Sequence, residues 1–171
     1  MEKKICELII SDTTKECFEI IEESNLNNYK KAGVWALFGQ KKSAESEQNK
    51  KWFCLQVAAT NNIANEIRID IERIKGKPVC RDKKYVNQFK EEIFSYKEHP
   101  SIKEILYNDI NNKYENFKFI CVKLEEDNDK RIKMEKSFAE KTRSIYWRHG
   151  GPYKNGNSLD LNKINFTIQF K

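Results

Sequence analysis

The first part of the chain alternates short apolar clusters with polar stretches. Polar residues at 12–14 precede apolar residues at 17, 18, 20 and 21, a pattern typical of a capped helix within residues 1–24. Residues 33–39 and 52–59 are apolar runs of strand length. A polar, charged stretch separates them, so we predict an antiparallel hairpin with a long loop.

The later part of the chain contains both helical and strand periods. Isoleucines at 63, 67, 71 and 74 predict a helix that Thr60 or Asn61 caps and that Gly76 ends. The other predicted elements are helices over 85–97 and 101–110, a strand over 117–122, a helix from Asp127 or Asn128 to Gly150 and Gly151, and a strand over 164–170.

This order of elements indicates an α+β fold in which a small mixed or antiparallel sheet is flanked by helices. The chain has 171 residues, so we expect one domain over 1–171. Residues 1–24 would be an N-terminal helical segment, and residues 31–171 would form the core.

Composition narrows the class of protein. Hydrophobic residues make up 39% and aromatic residues 12%, which is enough for a buried core. We find neither an apolar run of membrane-spanning length nor a leader-like N-terminus, and therefore expect a cytoplasmic protein with no membrane partner. The five cysteines are scattered without a C-x-x-C pair, which favours reduced, buried thiols.

The charge is moderately basic, at +6, and is concentrated in two stretches. Residues 73–90 hold seven Lys or Arg against one acid, and residues 131–154 hold seven against two, with aromatic residues near the end of the second stretch. Such mixtures can contact phosphates and stack on bases, although helix-terminal cations would give the same pattern. The candidate nucleic-acid contacts are Arg73, Lys83, Lys84, Arg143, Arg148, Tyr153 and Lys154.

A further set of residues follows a recognisable order. The set is Gly33-Val34-Trp35, Gln56-Val57-Ala58, Thr60, Arg68, Glu135 and Asn155. Over about residues 31–75 and 128–157 the chain resembles the GIY-YIG nuclease superfamily, in which two motif strands precede an arginine-bearing helix and a later helix carries a metal-binding glutamate. Trp35 and Gln56 stand where the family has tyrosines, and Glu66 lies nearest the position of its helix arginine.

The resemblance implies a phosphodiester-cleaving site that contains Trp35, Arg68, Glu135 and Asn155. Glu135 would hold Mg²⁺ or Mn²⁺, and Arg68 or Arg73 would bind the phosphate. Because an indole has no useful acid–base pKa, the base would be another group, with Tyr29, Tyr146 and Tyr153 as open alternatives.

The leading functional hypothesis is a nucleic-acid-binding protein that resembles a restriction or mobile-element endonuclease, with double-stranded DNA as its partner and a homodimer as one assembly to test. The alternatives are a catalytically inactive nucleic-acid-binding module and a protein-interaction or inhibitor protein. The enzymatic hypothesis requires that Trp35, Arg68 and Glu135 converge on one cleft.

Overall fold

The computed structural model describes residues 2–42, 50–76, 102–147, 149 and 164–171. Within these ranges the chain forms six strands and three α-helices, together with a short 3₁₀ turn at Leu26–Tyr29. The strands are β1 (Ile5–Ser11), β2 (Thr14–Ile21), β3 (Gly33–Lys41), β4 (Trp52–Thr60), β5 (Tyr114–Leu124) and β6 (Thr167–Phe170), and the helices are α1 (Ile63–Ile74), α2 (Ile102–Lys113) and α3 (Asn128–Thr142).

All six strands form one antiparallel sheet in the order β4-β3-β5-β2-β1-β6. This confirms the predicted α+β class with an antiparallel sheet flanked by helices. The predicted hairpin is also confirmed, because β3 and β4 pair from Gly33 opposite Thr60 to Gln40 opposite Trp52. The predicted helix over 85–97 lies outside the described residues.

The predicted helix within residues 1–24 is wrong, since this segment is the β1–β2 hairpin. Asp12 and Thr13 form the turn rather than a helix cap. On β1, Cys6 and Leu8 are fully buried while the intervening Glu7 is not, which is the two-residue period of a strand. Sheet pairing therefore outweighs the local helical pattern at 17–21.

The sheet lies between two layers of helices. On one face Trp35 and Leu37 of β3 pack in the same cluster as residues from α1 and α2. On the other face Val34, Ala36 and Phe38 pack in a cluster that includes Phe138 of α3. Because both faces of β3 are covered, its sequence is apolar throughout instead of alternating.

Capping residues and left-handed residues define the ends of α1 and α3. The Asn62 side chain, rather than Thr60 or Asn61, caps α1 by accepting from the Asn65 N–H at 3.1 Å. Gly76 follows α1 with φ +73°, as a helix-ending glycine should. Helix α3 ends at Thr142, earlier than predicted, because Arg143 adopts a left-handed conformation with φ 49°.

Candidate functional site

The outer edge of β4 is partly covered by the segment that follows α3. The Ile145 N–H donates to the Cys54 carbonyl at 3.0 Å, and the Tyr146 N–H donates to the Leu55 carbonyl at 2.9 Å. This segment runs along β4 because the chain turns at Arg143, directly after the helix. The edge carbonyls of Cys54 and Leu55 are thereby satisfied by the chain itself.

Glu135 covers this edge further along, at Ala59. It lies on the buried side of α3 with Phe138 and Ala139, and it is only 9% exposed. One carboxylate oxygen accepts from the Ala59 N–H at 3.0 Å, and the other accepts from Trp147 Nε1 at 2.8 Å. The structure therefore places Glu135 against the strand that carries Gln56-Val57-Ala58, as the sequence hypothesis requires.

Glu66 approaches the same strand from the opposite layer. Its Oε2 accepts from Trp35 Nε1 at 3.1 Å, and its Oε1 accepts from Lys103 Nζ at 2.9 Å. Trp35 has no exposed surface, so its indole acts as a buried donor that orients a carboxylate. Sequence reasoning noted Glu66 only as a replacement for an arginine and missed Lys103, which lies far along the chain.

These groups surround a cleft of about 160 Å³ at the edge of β4, which we call the β4-edge cleft. Residues 56–59 form its floor, with Glu66 and Lys103 on one side and Glu135, Trp147 and His149 on the other. Two carboxylates, Glu66 and Glu135, face one ammonium group, Lys103, so these three side chains sum to a formal charge of −1. This balance is unfavourable for an isolated phosphate.

The predicted phosphate-binding arginines do not line this cleft. Arg68 is exposed on α1, where its guanidinium donates to Asn65 at 3.4 Å and to Asn27 at 3.5 Å. Arg73 has a side chain only 13% exposed and donates to Asp70 at 2.6 Å and to Glu104 at 3.0 Å. The structure thus places Glu135 at the cleft, whereas Trp35 lies on β3 and is linked to the cleft through Glu66, and neither arginine lines it.

Asp70 is the centre of a buried ionic cluster that the sequence analysis missed. Its side chain is fully buried, with Arg73 bonded to one oxygen and Lys103 Nζ 3.7 Å from the other. Burial raises the pKa of Asp70, while Lys103 and Arg73 act in the opposite direction. Its position next to Ile71, on the Ile63-Ile67-Ile74 side of α1, was the signal that could have revealed it.

The described candidate bases donate their phenolic protons away from the β4-edge cleft. Tyr29 donates to Glu19 at 2.6 Å, and Tyr146 donates to Asp109 at 2.5 Å. Burial raises the pKa of both phenols, and the neighbouring carboxylates raise it further. Neither hydroxyl is arranged as a base for this cleft.

Gly33 of the first motif strand has a packing role. A Cβ atom at this position would lie 2.4 Å from the Lys123 carbonyl oxygen and 2.8 Å from Cδ1 of Ile63. Glycine allows the backbone of β3 to approach β5 and α1 closely. This requirement accounts for the residue without any catalytic function.

A second candidate surface consists of cations on the outside of α3 and the end of β5. We call it the α3 cationic face, and its residues are Lys123, Lys130, Lys133, Lys136 and Arg143. All five are exposed, and none has an ion pair with another described residue. Arg131 points inward instead, donating to the Glu125 and Glu126 carbonyls at 3.0 and 2.7 Å. The remaining predicted contacts lie outside the described residues: Lys83, Lys84, Arg148, Tyr153, Lys154 and Asn155.

The donor set of the β4-edge cleft does not fit Mg²⁺ or Mn²⁺ well. Both oxygens of Glu135 already accept N–H bonds, and Glu66 is bound to the Lys103 ammonium, which would repel a cation. Across the described ranges, no three His, Cys, Asp or Glu residues are grouped so that they could hold a metal. We therefore derive no chemical step through a metal at this site.

Comparison with known proteins finds no match to this chain among family models, curated sequences or solved structures. The resemblance to the GIY-YIG superfamily consequently stays a prediction. In the described part of the chain, no helix has both the length and the apolar composition needed to cross a bilayer.

Proposed function

We propose that this protein binds nucleic acid through the α3 cationic face and does not depend on metal-catalysed hydrolysis. The observation that carries the proposal is the set of five exposed cations without ion pairs in the described structure. Cations that have no internal partner are available to phosphates, whose contacts supply most of the affinity for nucleic acid.

The surroundings of this face support a nucleic-acid strand rather than a simple anion. A groove of about 670 Å³ runs between α3 and strands β2 and β5. Its lining includes the apolar side chains of Phe18 and Val122 together with Lys123 and Lys133. Apolar surface beside cations suits a strand that offers sugars and bases as well as phosphates.

The exposed residues of α3 itself carry a small positive surplus. Asp129 and Glu140 are the exposed acids of the helix, against Lys130, Lys133 and Lys136. Lys141 lies in the same groove but is bound to Glu16 at 2.8 Å, so it contributes less free charge. The exposed acids Glu126 and Asp127 lie between Lys123 and the helix, so the surplus of unpaired cations is concentrated along the helix itself.

The test measures the binding of labelled duplex and single-stranded oligonucleotides by fluorescence anisotropy at several salt concentrations. The triple variant Lys130→Glu, Lys133→Glu and Lys136→Glu should lose affinity by about tenfold or more and show a shallower salt dependence. The control Lys15→Glu, Lys30→Glu and Lys51→Glu changes exposed lysines elsewhere and also lowers the net charge from +6 to 0. Equal loss of binding in both variants would reduce the proposal to an effect of net charge.

Metal-dependent endonuclease activity is the second candidate function. The observation that favours it is the contact of Glu135 with the strand of the second motif, at the Ala59 N–H. The test incubates plasmid with the protein and Mg²⁺ or Mn²⁺, alongside Glu135→Gln. We expect no cleavage by either protein, whereas cleavage that Glu135→Gln abolishes would establish the enzyme and overturn the non-hydrolytic part of the proposal.

A further inference from the structure

One residue of the β4 edge has backbone groups that face the β4-edge cleft. Alternate residues of an edge strand turn both their N–H and C=O groups away from the neighbouring strand. The Ala59 N–H points outward to Glu135, so Val57, two residues earlier, has the same orientation. The segment at Tyr146 covers the edge before Val57, and Glu135 covers it after Val57.

Gln56 carries a side-chain donor that has no partner among the described residues. The residue is 4% exposed, and its buried Nε2 has no hydrogen-bond partner in the described part of the chain. Gln56 also lines the cleft. Because a buried donor without a partner is costly, a bound acceptor at this position would be favourable.

The two carboxylates offer fixed acceptors on either side of this donor. Glu66 is held by Trp35 and Lys103, and Glu135 is held by Ala59 and Trp147. A carboxylate oxygen that accepts one hydrogen bond keeps capacity for another. The cleft therefore presents donors and acceptors together, in fixed positions, to a ligand that carries both.

The size of the cleft limits the ligand. Its volume of about 160 Å³ is well below that of sites for drug-sized molecules, which begin near roughly 300 Å³. An added peptide strand needs several free edge residues in succession, whereas described groups contact this edge on both sides of Val57, at Leu55 and at Ala59. A single planar ring that lies beside Trp147 satisfies both limits.

We propose that the β4-edge cleft binds one unpaired nucleobase that carries an exocyclic amine. The amine would donate to Glu66 or Glu135, and a ring nitrogen or carbonyl would accept from Gln56 Nε2 or the Val57 N–H. Cytosine, adenine and guanine have such an amine, whereas uracil does not. The choice of a nucleobase as ligand rests on the proposed nucleic-acid function, but the cleft is separate from the α3 cationic face.

The three tryptophans of the chain provide the test. The indole N–H groups of Trp147 and Trp35 bind the two cleft carboxylates, whereas Trp52 stands at the other end of β4. Cytidine and adenosine are titrated into the full chain, with uridine as control, and the indole signals are followed by NMR. We expect the Trp35 and Trp147 signals to shift and the Trp52 signal to stay, with uridine about tenfold weaker or worse.

The proposal is overturned if neither amine-bearing nucleoside moves the Trp35 and Trp147 signals, if uridine acts equally, or if all three indoles shift alike. Gln56→Glu keeps the shape of the side chain but removes its donor, so it should abolish the cytidine and adenosine shifts. The same variant should retain salt-dependent duplex binding through the α3 cationic face.

The experiments distinguish failure of the cleft proposal from failure of the proposed function of the α3 cationic face. The Lys130→Glu, Lys133→Glu and Lys136→Glu variant should still show the nucleoside shifts. If wild-type protein binds duplex but no nucleoside, only the cleft proposal fails. If nucleosides bind but the charge-reversal variant keeps full affinity for oligonucleotides, only the proposed function of α3 fails.

Discussion

The β4-edge cleft and the α3 cationic face differ in whether their charged side chains are bound by other groups of the chain. In the cleft, each carboxylate has hydrogen-bond donors from this chain, such as Ala59 N–H and Trp147 Nε1 for Glu135. On the outside of α3, cations such as Lys130, Lys133 and Lys136 are exposed and have no ion-pair partner in the described structure.

The difference follows from burial. A charge removed from water is stable only if protein groups replace the lost hydration, whereas an exposed lysine remains solvated without a partner. Substitutions in the cleft and in the buried ionic cluster around Asp70 should therefore mainly lower folding stability. Substitutions on the α3 cationic face should change binding while leaving the free energy of unfolding within about 0.5 kcal/mol.

The largest effect is expected at Asp70, below the cleft. Asp70→Ala removes the buried partner of Arg73 and should lower the free energy of unfolding by about 3 kcal/mol, because a largely buried guanidinium loses its closest counter-charge. Chemical denaturation measures this loss. The matched control is Glu72→Ala on the same helix, where an exposed pair with Lys75 predicts a loss below about 1 kcal/mol. Equal losses in both variants would contradict the buried ionic cluster.

A smaller effect is expected at Glu135. Glu135→Ala leaves the Ala59 N–H and Trp147 Nε1 without their acceptor and should cost about 2 kcal/mol in the free energy of unfolding. Glu140→Ala, an exposed position on the same helix, is the control and should be close to neutral. If Glu135→Ala changed the free energy of unfolding as little as the control, the contact between α3 and the edge of β4 would not stabilise the fold.

The smallest expected effect is a difference in reactivity between two cysteines, one beside the α3 cationic face and one on β4. Cys17 is exposed and lines the groove beside the α3 cationic face, whereas Cys54 on β4 is buried and its burial raises the pKa of the thiol to about 12. Alkylation at mildly alkaline pH should therefore label Cys17 and spare Cys54, because a thiol without access or thiolate character does not react. Peptide mass spectrometry gives both rates in one sample.

Bound oligonucleotide should slow the labelling of Cys17 and leave Cys54 unchanged. Labelling of Cys54 as fast as Cys17 in the folded protein would show instead that the β4 region opens readily.

The sequence was most informative where an apolar run or a regular hydrophobic period extended over a whole element. The apolar runs of β3 and β4, the isoleucine period of α1 and the alternating end of the chain all gave the correct element type. Of the thiols predicted to be buried, Cys6 and Cys54 are buried and Cys17 is exposed. Residues 1–24 were misread because positions 17–21 suit a helix face as well as the inner side of a twisted strand. Only pairing with β1 and β5 separates these two alternatives.

The site was predicted in part. Glu135 was expected beside the strand of Gln56, and the structure places it there. Arg68 and Arg73 were expected in the same place and lie elsewhere, because the side of a helix that faces a cleft depends on how the helix packs. Lys103, Val57 and the segment at Tyr146 could not be predicted, since their role arises from contacts between distant elements.

The sequence by itself determined the balance of charge and the apolar segments, because these depend on the residues and their neighbours along the chain. Only the tertiary structure decided which carboxylates are held by indole and backbone N–H groups and which cations remain free. That decision depends on burial, and burial is a property of the packed sheet and its two helix layers rather than of any single segment.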